Sequence, residues 1–449
     1  MSTTLPAPPK NPLPLWRRIA VTRRLDTGPE ILRDAGGPVT LNNLAPTWLA
    51  PPMVFVTSPQ GARDVLGHPD SFAERGVTPM SWELRALFGD NLLVLPHDEW
   101  LPRRRAIQPL FTPKYVPRFA GHMAGVAEEA AARWVDDGQI DLDVESRELT
   151  LQALGRSVLG IQSGEGIDVV GPALRTGVAW AADRAMRPVN LPRWFPTRAQ
   201  RRARAASAAI HAFIDDMLHA CRTDPDRDAP LIRALMNAVD PQTGEKMTDA
   251  DIGDELVLFL VAGHDTTATL LSFALWALGH RPELQDKMAA EVQALGPRRL
   301  THEDVPKLSY TVQVMHEAMR LCPPAPAAGR TVVQDIDVDG YHLVAGTFVV
   351  VGIYALHHDP TLWEDPLTFD PDRFSPERSA GRDRWQYLPF GGGPRRCMGD
   401  HFALLEATLA LATIVGRTEI TSLSPDFPTL TPLTVIPAAP IPMRVRQRS

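Results

Sequence analysis

Cysteine is scarce in this chain. Cys221, Cys322 and Cys397 lie far apart among 449 residues. An odd number without framework spacing excludes a disulfide scaffold and points to a reduced, cytoplasmic setting. A zinc cage of four thiolates is excluded as well. Positive charge is also lacking: the net charge is −7, which argues against a general nucleic-acid binder. No apolar run reaches the length of a membrane span. The nearest, Leu256 to Leu278, is broken by His264, Asp265, Thr266 and Thr267. That break suits a buried helix passing a polar site. Met1 to Lys10 is proline-rich and lacks the apolar core of a signal peptide. No repeat or low-complexity linker divides the chain.

What is present reads as an ordinary globular protein, 44% apolar and 22% charged, with 43 prolines. Residues 1–35 read as a proline-rich N-terminal extension and 36–449 as one domain. Pro38–Leu44 and Met53–Thr57 read as strands, and Ser58-Pro59 opens a helix. From about Trp100 to Leu300 the pattern is helical. Its clearest helix starts at Thr248, where Thr248 and Asp251 form a capping box, and runs to His280, about 48 Å. A second helix, Ser309 to Cys322, stops at Pro323-Pro324. Short strands follow at Ile336–Val338 and Thr347–Val351, with an Asp339-Gly340 turn between them. A last helix runs from about Met398 to Arg417. The fold class is mainly α with a minor β region.

Four constellations carry chemistry. The first is Phe390-Gly391-Gly392-Gly393-Pro394-Arg395-Arg396-Cys397-Met398-Gly399. Without a following Gly-Lys-Ser/Thr it is no phosphate loop. Its glycines instead permit tight backbone around a ligated sulfur, and a helix start favours thiolate. A lone cysteine can serve as one axial ligand, as in thiolate-ligated heme. An inert buried thiol is the plainer alternative.

The second is Ala262-Gly263-His264-Asp265-Thr266-Thr267. It sets a flat, small-residue patch beside an acid and an alcohol. Thr266 can bond the carbonyl one turn back and bend the helix, with Asp265 feeding protons toward it. A polar kink without a ligand is the other reading. The third is Glu317 and Arg320, one helical turn apart, which Arg373 of Pro371-Asp372-Arg373-Phe374 can join as a structural cluster. The fourth is Trp100 and Arg104, which can both reach one anion, although a solvent-facing basic helix start is the plainer local reading. His357-His358-Asp359 reads as a structural turn, because adjacent histidines diverge.

Together, and in this order, these motifs resemble those of the cytochrome P450 family of heme-thiolate monooxygenases. Phe390–Gly399 matches its Phe-x-x-Gly-x-Arg-x-Cys-x-Gly signature at every specified position. Ala262–Thr267, Glu317–Arg320 and Pro371–Phe374 match its oxygen-activation groove, Glu-x-x-Arg helix and Pro-x-Arg-Phe element. The resemblance implies a single P450 fold, with heme b (iron protoporphyrin IX) between the long helix and the last one. It implies Cys397 as the iron ligand, and Asp265 and Thr266 as proton deliverers on the oxygen side. Trp100, Arg104, Arg330 and Arg395 would hold heme propionates, and Glu317, Arg320 and Arg373 would keep the scaffold.

It implies O2 and a hydrophobic small molecule, such as a terpenoid or fatty acid, as substrates. Pocket walls are expected from about Gly76–Leu95, Thr176–Arg198, the long helix near Ala262, Ala325–Gly329 and Thr431–Val435. They include Trp82, Leu87, Phe88, Ala262 and Ala327. The chain resembles the soluble bacterial type, with no membrane anchor and no fused reductase. Electrons would come from a ferredoxin or flavodoxin with its NAD(P)H reductase, docking on a basic face of Arg103, Arg104, Arg105, Arg395 and Arg396. The alternatives are a heme-thiolate protein that binds a ligand without turnover and a heme-free enzyme using Cys397 as nucleophile. The Asp265–Thr266 pair disfavours the first. The want of a paired histidine disfavours the second.

Overall fold

The computed structural model describes residues 5–448 except 47, 49–50, 69–72, 77, 162–166, 186 and 188–189. Its organising element is the central helix Asp249–Gly279. The capping box forms as the sequence predicts. The Thr248 hydroxyl accepts from the Asp251 N–H, and Asp251 accepts from the Thr248 N–H. Apolar residues surround most of this helix, so it is buried on several sides. It packs against helices Leu142–Leu154, Arg198–Thr223 and Asp400–Arg417.

Two apolar clusters hold these helices together. One gathers Phe111, Phe119, Phe259 and Phe402. The other gathers Trp134, Leu271, Met315 and Ile414. Each such side chain contributes roughly 1.5–3 kcal/mol on burial. Helix Ser309–Leu321 ends before Pro323, whose fixed ring geometry disfavours helix in the preceding residue.

The larger sheet runs in the order Val39–Leu41, Met53–Val56, Phe348–Gly352, Ala327–Val332, Ala73–Glu74. Met53–Val56 lies parallel to Phe348–Gly352, with Val54 opposite Val349. Here the sequence reading needs correction. The Asp339-Gly340 turn joins Ile336–Val338 to Tyr341–Leu343, not to the strand after it. Both turn residues have positive φ, 44° and 84°, which suits a two-residue hairpin. Val349, Val350 and Val351 are buried and become a central strand instead.

The N-terminal segment is not peripheral. Helices Leu15–Thr22 and Gly28–Gly36 bring Val21 and Leu32 against Phe55 and Val350 of the sheet. The buried Asn11 amide donates to the Leu32 carbonyl at 2.8 Å. Proline content hid the apolar face of these short helices. Residues 1–4 of the expected extension lie outside the described residues.

Candidate active site

The cysteine loop closes through one backbone bond: the Cys397 N–H donates to the Phe390 carbonyl at 2.9 Å. Gly391 and Gly393 have φ of +69° and +68°. At Gly393 a Cβ would fall 1.6 Å from the Leu66 carbonyl oxygen, so nothing larger fits. The following helix is Asp400–Arg417, two residues shorter at its start than read from sequence, with Gly399 as its N-cap. Cys397 therefore stands before the helix rather than opening it. Solvent reaches Cys397, yet burial is the largest influence on its thiol and pushes the pKa up, against the opposing pull of the Gly399 N–H.

The middle of the central helix opens in the same way. Leu260, His264, Thr267 and Ala268 are buried, but Ala262 is exposed and Thr266 half-buried. The Thr266 hydroxyl donates to the Ala262 carbonyl at 2.7 Å, the expected kink-forming bond. Gly263 lets Leu154 approach closely: a Cβ there would lie 3.0 Å from its methyl groups.

Asp265 is placed differently from the sequence reading. Its carboxylate is ion-paired to Arg147 of helix Leu142–Leu154, which also holds Asp143 at 2.9 Å. The Thr266 hydroxyl bonds to the Ala262 carbonyl rather than to Asp265. The imidazole Nδ1 of His264 is 3.3 Å from Asp265, and burial pushes His264 down to about 4, so it is neutral near pH 7. Arg147 lies 118 positions away in sequence, and no local motif announces it.

The predicted arginines converge on the loop. Arg395 is buried, donates to the Leu95 carbonyl at 3.1 Å, and lies over the Trp100 ring, 4.1 Å from its centre. Trp100 is on helix His97–Ile107, and Arg104, one turn further, reaches the Arg396 carbonyl at 3.4 Å. Burial lowers the Arg104 pKa while neighbouring Cys397 raises it. Arg330, buried in strand Ala327–Val332, donates to the Gly329 carbonyl at 2.8 Å.

Behind the loop, Glu317 takes two bonds from Arg320, both 2.7 Å, and one from Arg373 at 3.3 Å. Arg320 also donates to the carbonyls of His357 and Pro366. All three charged side chains are buried. His357 Nε2 accepts from the Leu388 N–H at 2.9 Å, and His358 stacks on Tyr354, so the two histidines are structural. Among the described residues no histidine, cysteine or carboxylate cluster has metal-binding geometry.

The family model for cytochrome P450 matches residues 46–440. The chain belongs to the cytochrome P450 family. It is 35% identical over 342 residues to cyclooctatin synthase of Streptomyces melanosporofaciens, covering 76% of this chain and 74% of that one. It is 30% identical over 370 residues to pentalenene oxygenase of Streptomyces avermitilis, covering 82% and 81%. Among solved structures, the heme domain of a cytochrome P450DA mutant matches with a TM-score of 0.86, 25% identity, and 100% and 98% coverage. The retinoic acid bound cyanobacterial CYP120A1 matches in fold with a TM-score of 0.85, 23% identity, and 99% and 100% coverage. The protein is thus a P450 monooxygenase with heme as its cofactor. Its own residues fit that group: one solvent-exposed cysteine in a tight glycine loop, an exposed alanine on the central helix, and arginines clustered beside the loop.

Within this P450 fold some expected residues sit elsewhere. Leu87 and Phe88 of helix Pro79–Phe88 are buried, and Phe88 packs on Gly177, where a Cβ would be 2.6 Å from its ring. Ala327 is half-buried. Trp82, read as an apolar wall, is 55% exposed, because the apolar face of its short helix is carried by Leu84, Leu87 and Phe88. Residues 77, 186, 188 and 189 of the expected walls lie outside the described residues.

The basic face also needs correction. Arg103 is bonded to Asp251 and to the Asp90 carbonyl, and Arg105 holds Asp240 at 2.6 and 2.8 Å. Arg395 is interior. Only Arg104 and Arg396 of the five remain beside the loop for an outside partner, and Arg396 is paired with Asp400 at 2.6 Å.

Proposed function

We propose that this P450 oxidises a terpenoid, with electrons from a ferredoxin or flavodoxin and its NAD(P)H reductase, in the cytoplasm. The observation that carries the substrate class is the likeness to relatives named as cyclooctatin synthase, cyclooctat-9-en-7-ol 5-monooxygenase and pentalenene oxygenase. The apolar surroundings of the central helix support it, since a hydrocarbon skeleton is bound mainly by area. One helix among the described residues is apolar and long enough to span a membrane, but it is the buried central one.

When bound, thiolate-ligated heme supplies the iron at which O2 is activated and its O–O bond cleaved. The chain's residues do the rest. Cys397 would give its sulfur to the iron, and the Phe390–Gly399 loop holds that residue through the bond to the Phe390 carbonyl. Arg395, Arg330, Arg104 and Trp100 would hold the propionates. On the central helix Thr266 holds a hydroxyl at the edge of the Ala262 patch. Asp265, held in place by Arg147, would relay protons on the Thr266 side of the site. Leu154 and the apolar core pack beside this stretch of the helix.

The test is a spin-state titration of the ferric protein with a panel of terpenoids and fatty acids, followed by product analysis with O2 and the donor proteins. A terpenoid that shifts the spectrum and gains one oxygen supports the reading. Turnover confined to fatty acids overturns the substrate class.

A further inference from the structure

The segment that begins at Pro371 carries three arginines in quick succession, Arg373, Arg378 and Arg382. The short helix Pro376–Ser379 and a turn at Gly381, with φ of +78°, fold them around one cavity of about 350 Å³. Trp363, Glu364 and Gln386 also line it. A cavity of that size falls within the range of small-molecule sites, roughly 300–1,000 Å³.

The wall is basic, although the whole chain has a net charge of −7. Arg378 is paired with Asp370 at 2.7 Å, and Arg373 with Glu317 at 3.3 Å. Arg382 differs. It donates to the carbonyls of Arg373 at 2.6 Å and Arg378 at 3.5 Å, and no carboxylate among the described residues pairs with it. Burial is the largest influence on its pKa and lowers it, and the charges of Arg320 and Arg373 act the same way. Glu317 pulls in the other direction, but that carboxylate already serves Arg320 and Arg373. Glu364 is the acid of the wall, and it is exposed. A half-buried cation without a counter-charge is costly until an anion completes it. Arg382 is also held in place. Its guanidinium lies over the rings of Trp363 and Phe374, 4.7 and 4.6 Å from their centres, so little ordering remains when a ligand arrives.

We propose that the cavity walled by Arg373, Arg378 and Arg382 binds a small phosphate-bearing molecule. Guanidinium forks match phosphate oxygens in pairs. Three of them suit the nearly double charge of a phosphate better than the single charge of a carboxylate. The cavity exceeds a lone phosphate, so free phosphate and a nucleotide share this chemistry. A pocket with Trp363 and Arg373 buried in its wall takes a small molecule rather than the face of a protein. The proposal is independent of the terpenoid reading.

The experiment uses the full-length heme-loaded protein at constant ionic strength. Melting temperature and titration calorimetry are followed with inorganic phosphate, AMP or acetate. The proposal predicts that phosphate or AMP raises the melting temperature and acetate does not, because a ligand of the folded state stabilises it. AMP bound at least about tenfold more tightly than phosphate supports a nucleotide as the source, and equal affinity supports free phosphate. Arg382→Gln and Arg378→Gln should each weaken binding by roughly tenfold, about the scale of one lost bond to a charged group. Each should keep the parent's heme spectrum. If Arg382→Gln fails to fold, Arg378→Gln decides, since its side chain is 44% exposed. No binding of phosphate or AMP, equal stabilisation by acetate, or undiminished binding in Arg378→Gln overturns the proposal. It is equally overturned if the variants slow reduction by a ferredoxin while the parent ignores both phosphates, since the arginines then serve a protein.

Discussion

Asp265 of the central helix is ion-paired to Arg147 of the helix packed behind it. The acid of the oxygen-side motif is therefore held by a residue outside the motif. His264 lies beside the pair in neutral form. This arrangement makes Arg147 a positioning residue for Asp265. Arg147→Leu should leave the substrate-induced spin-state shift in place and slow turnover by roughly 10- to 100-fold, with a larger solvent isotope effect than the parent. Arg147→Lys should restore part of the rate. A variant with unchanged turnover would separate Arg147 from proton delivery.

Thr266→Val should give a different signature. The hydroxyl bonded to the Ala262 carbonyl is lost, but the helix remains. NAD(P)H consumption should continue while the product formed per NAD(P)H falls several-fold, about the scale of one lost proton-positioning group. Comparing oxidised cofactor with product measures it. Equal coupling in variant and parent would remove Thr266 from the proton path.

Two glycines of the cysteine loop make a contrast. Gly391→Ala meets nothing within 4 Å and suffers only its φ of +69°, a cost of about 1–2 kcal/mol. Gly393→Ala has the same φ problem and also drives a Cβ into the Leu66 carbonyl. Gly391→Ala should therefore keep heme with a slightly lower melting temperature, while Gly393→Ala should lose it. Heme content per protein decides between this and an indifferent loop.

The motifs that were legible are those whose partners are near in sequence. The Thr248 cap needs only Asp251, and the cysteine loop carries its glycines and arginine within ten residues. The stop at Pro323 is likewise local. Contacts set by tertiary packing were hidden: Arg147 on Asp265, Asp251 on Arg103 and Asp240 on Arg105. The basic face failed for that reason, since charge in a sequence does not show which acid folds against it. The parallel pairing of Met53–Val56 with Phe348–Gly352 joins residues 295 positions apart, which no local turn signal can specify.

The Glu317–Arg320–Arg373 cluster should be costly to break. Removing one partner leaves a buried charge unpaired, at about 3–5 kcal/mol. Arg320→Ala also strips donors from the carbonyls of His357 and Pro366. Chemical denaturation should show a loss of that size, or no folded protein. A shift below about 1 kcal/mol would mean that the cluster is not the scaffold behind the loop.

Glu255 sets a pH dependence. It is fully buried, accepts from the Leu92 N–H at 3.0 Å, and burial pushes its carboxyl up to about 8, against the pull of Arg103. Between its ordinary value near 4.5 and about 8 the folded state holds a proton that the unfolded chain has released. Stability from this group is therefore full below pH 4.5 and falls as pH rises toward 8, by up to about 1.4 kcal/mol per unit. Glu255→Gln should flatten the denaturation midpoint between pH 5 and pH 8, about the span of that shift. An unchanged slope would assign the dependence to other groups.

The account stands most directly on Cys397 as the heme ligand. The measurement is the spectrum of the reduced, carbon monoxide-treated protein, for the parent and for Cys397→Ala. The account predicts the red-shifted Soret band of thiolate-ligated heme in the parent and its loss in the variant. A parent without that band, or a variant that keeps it, would contradict the account.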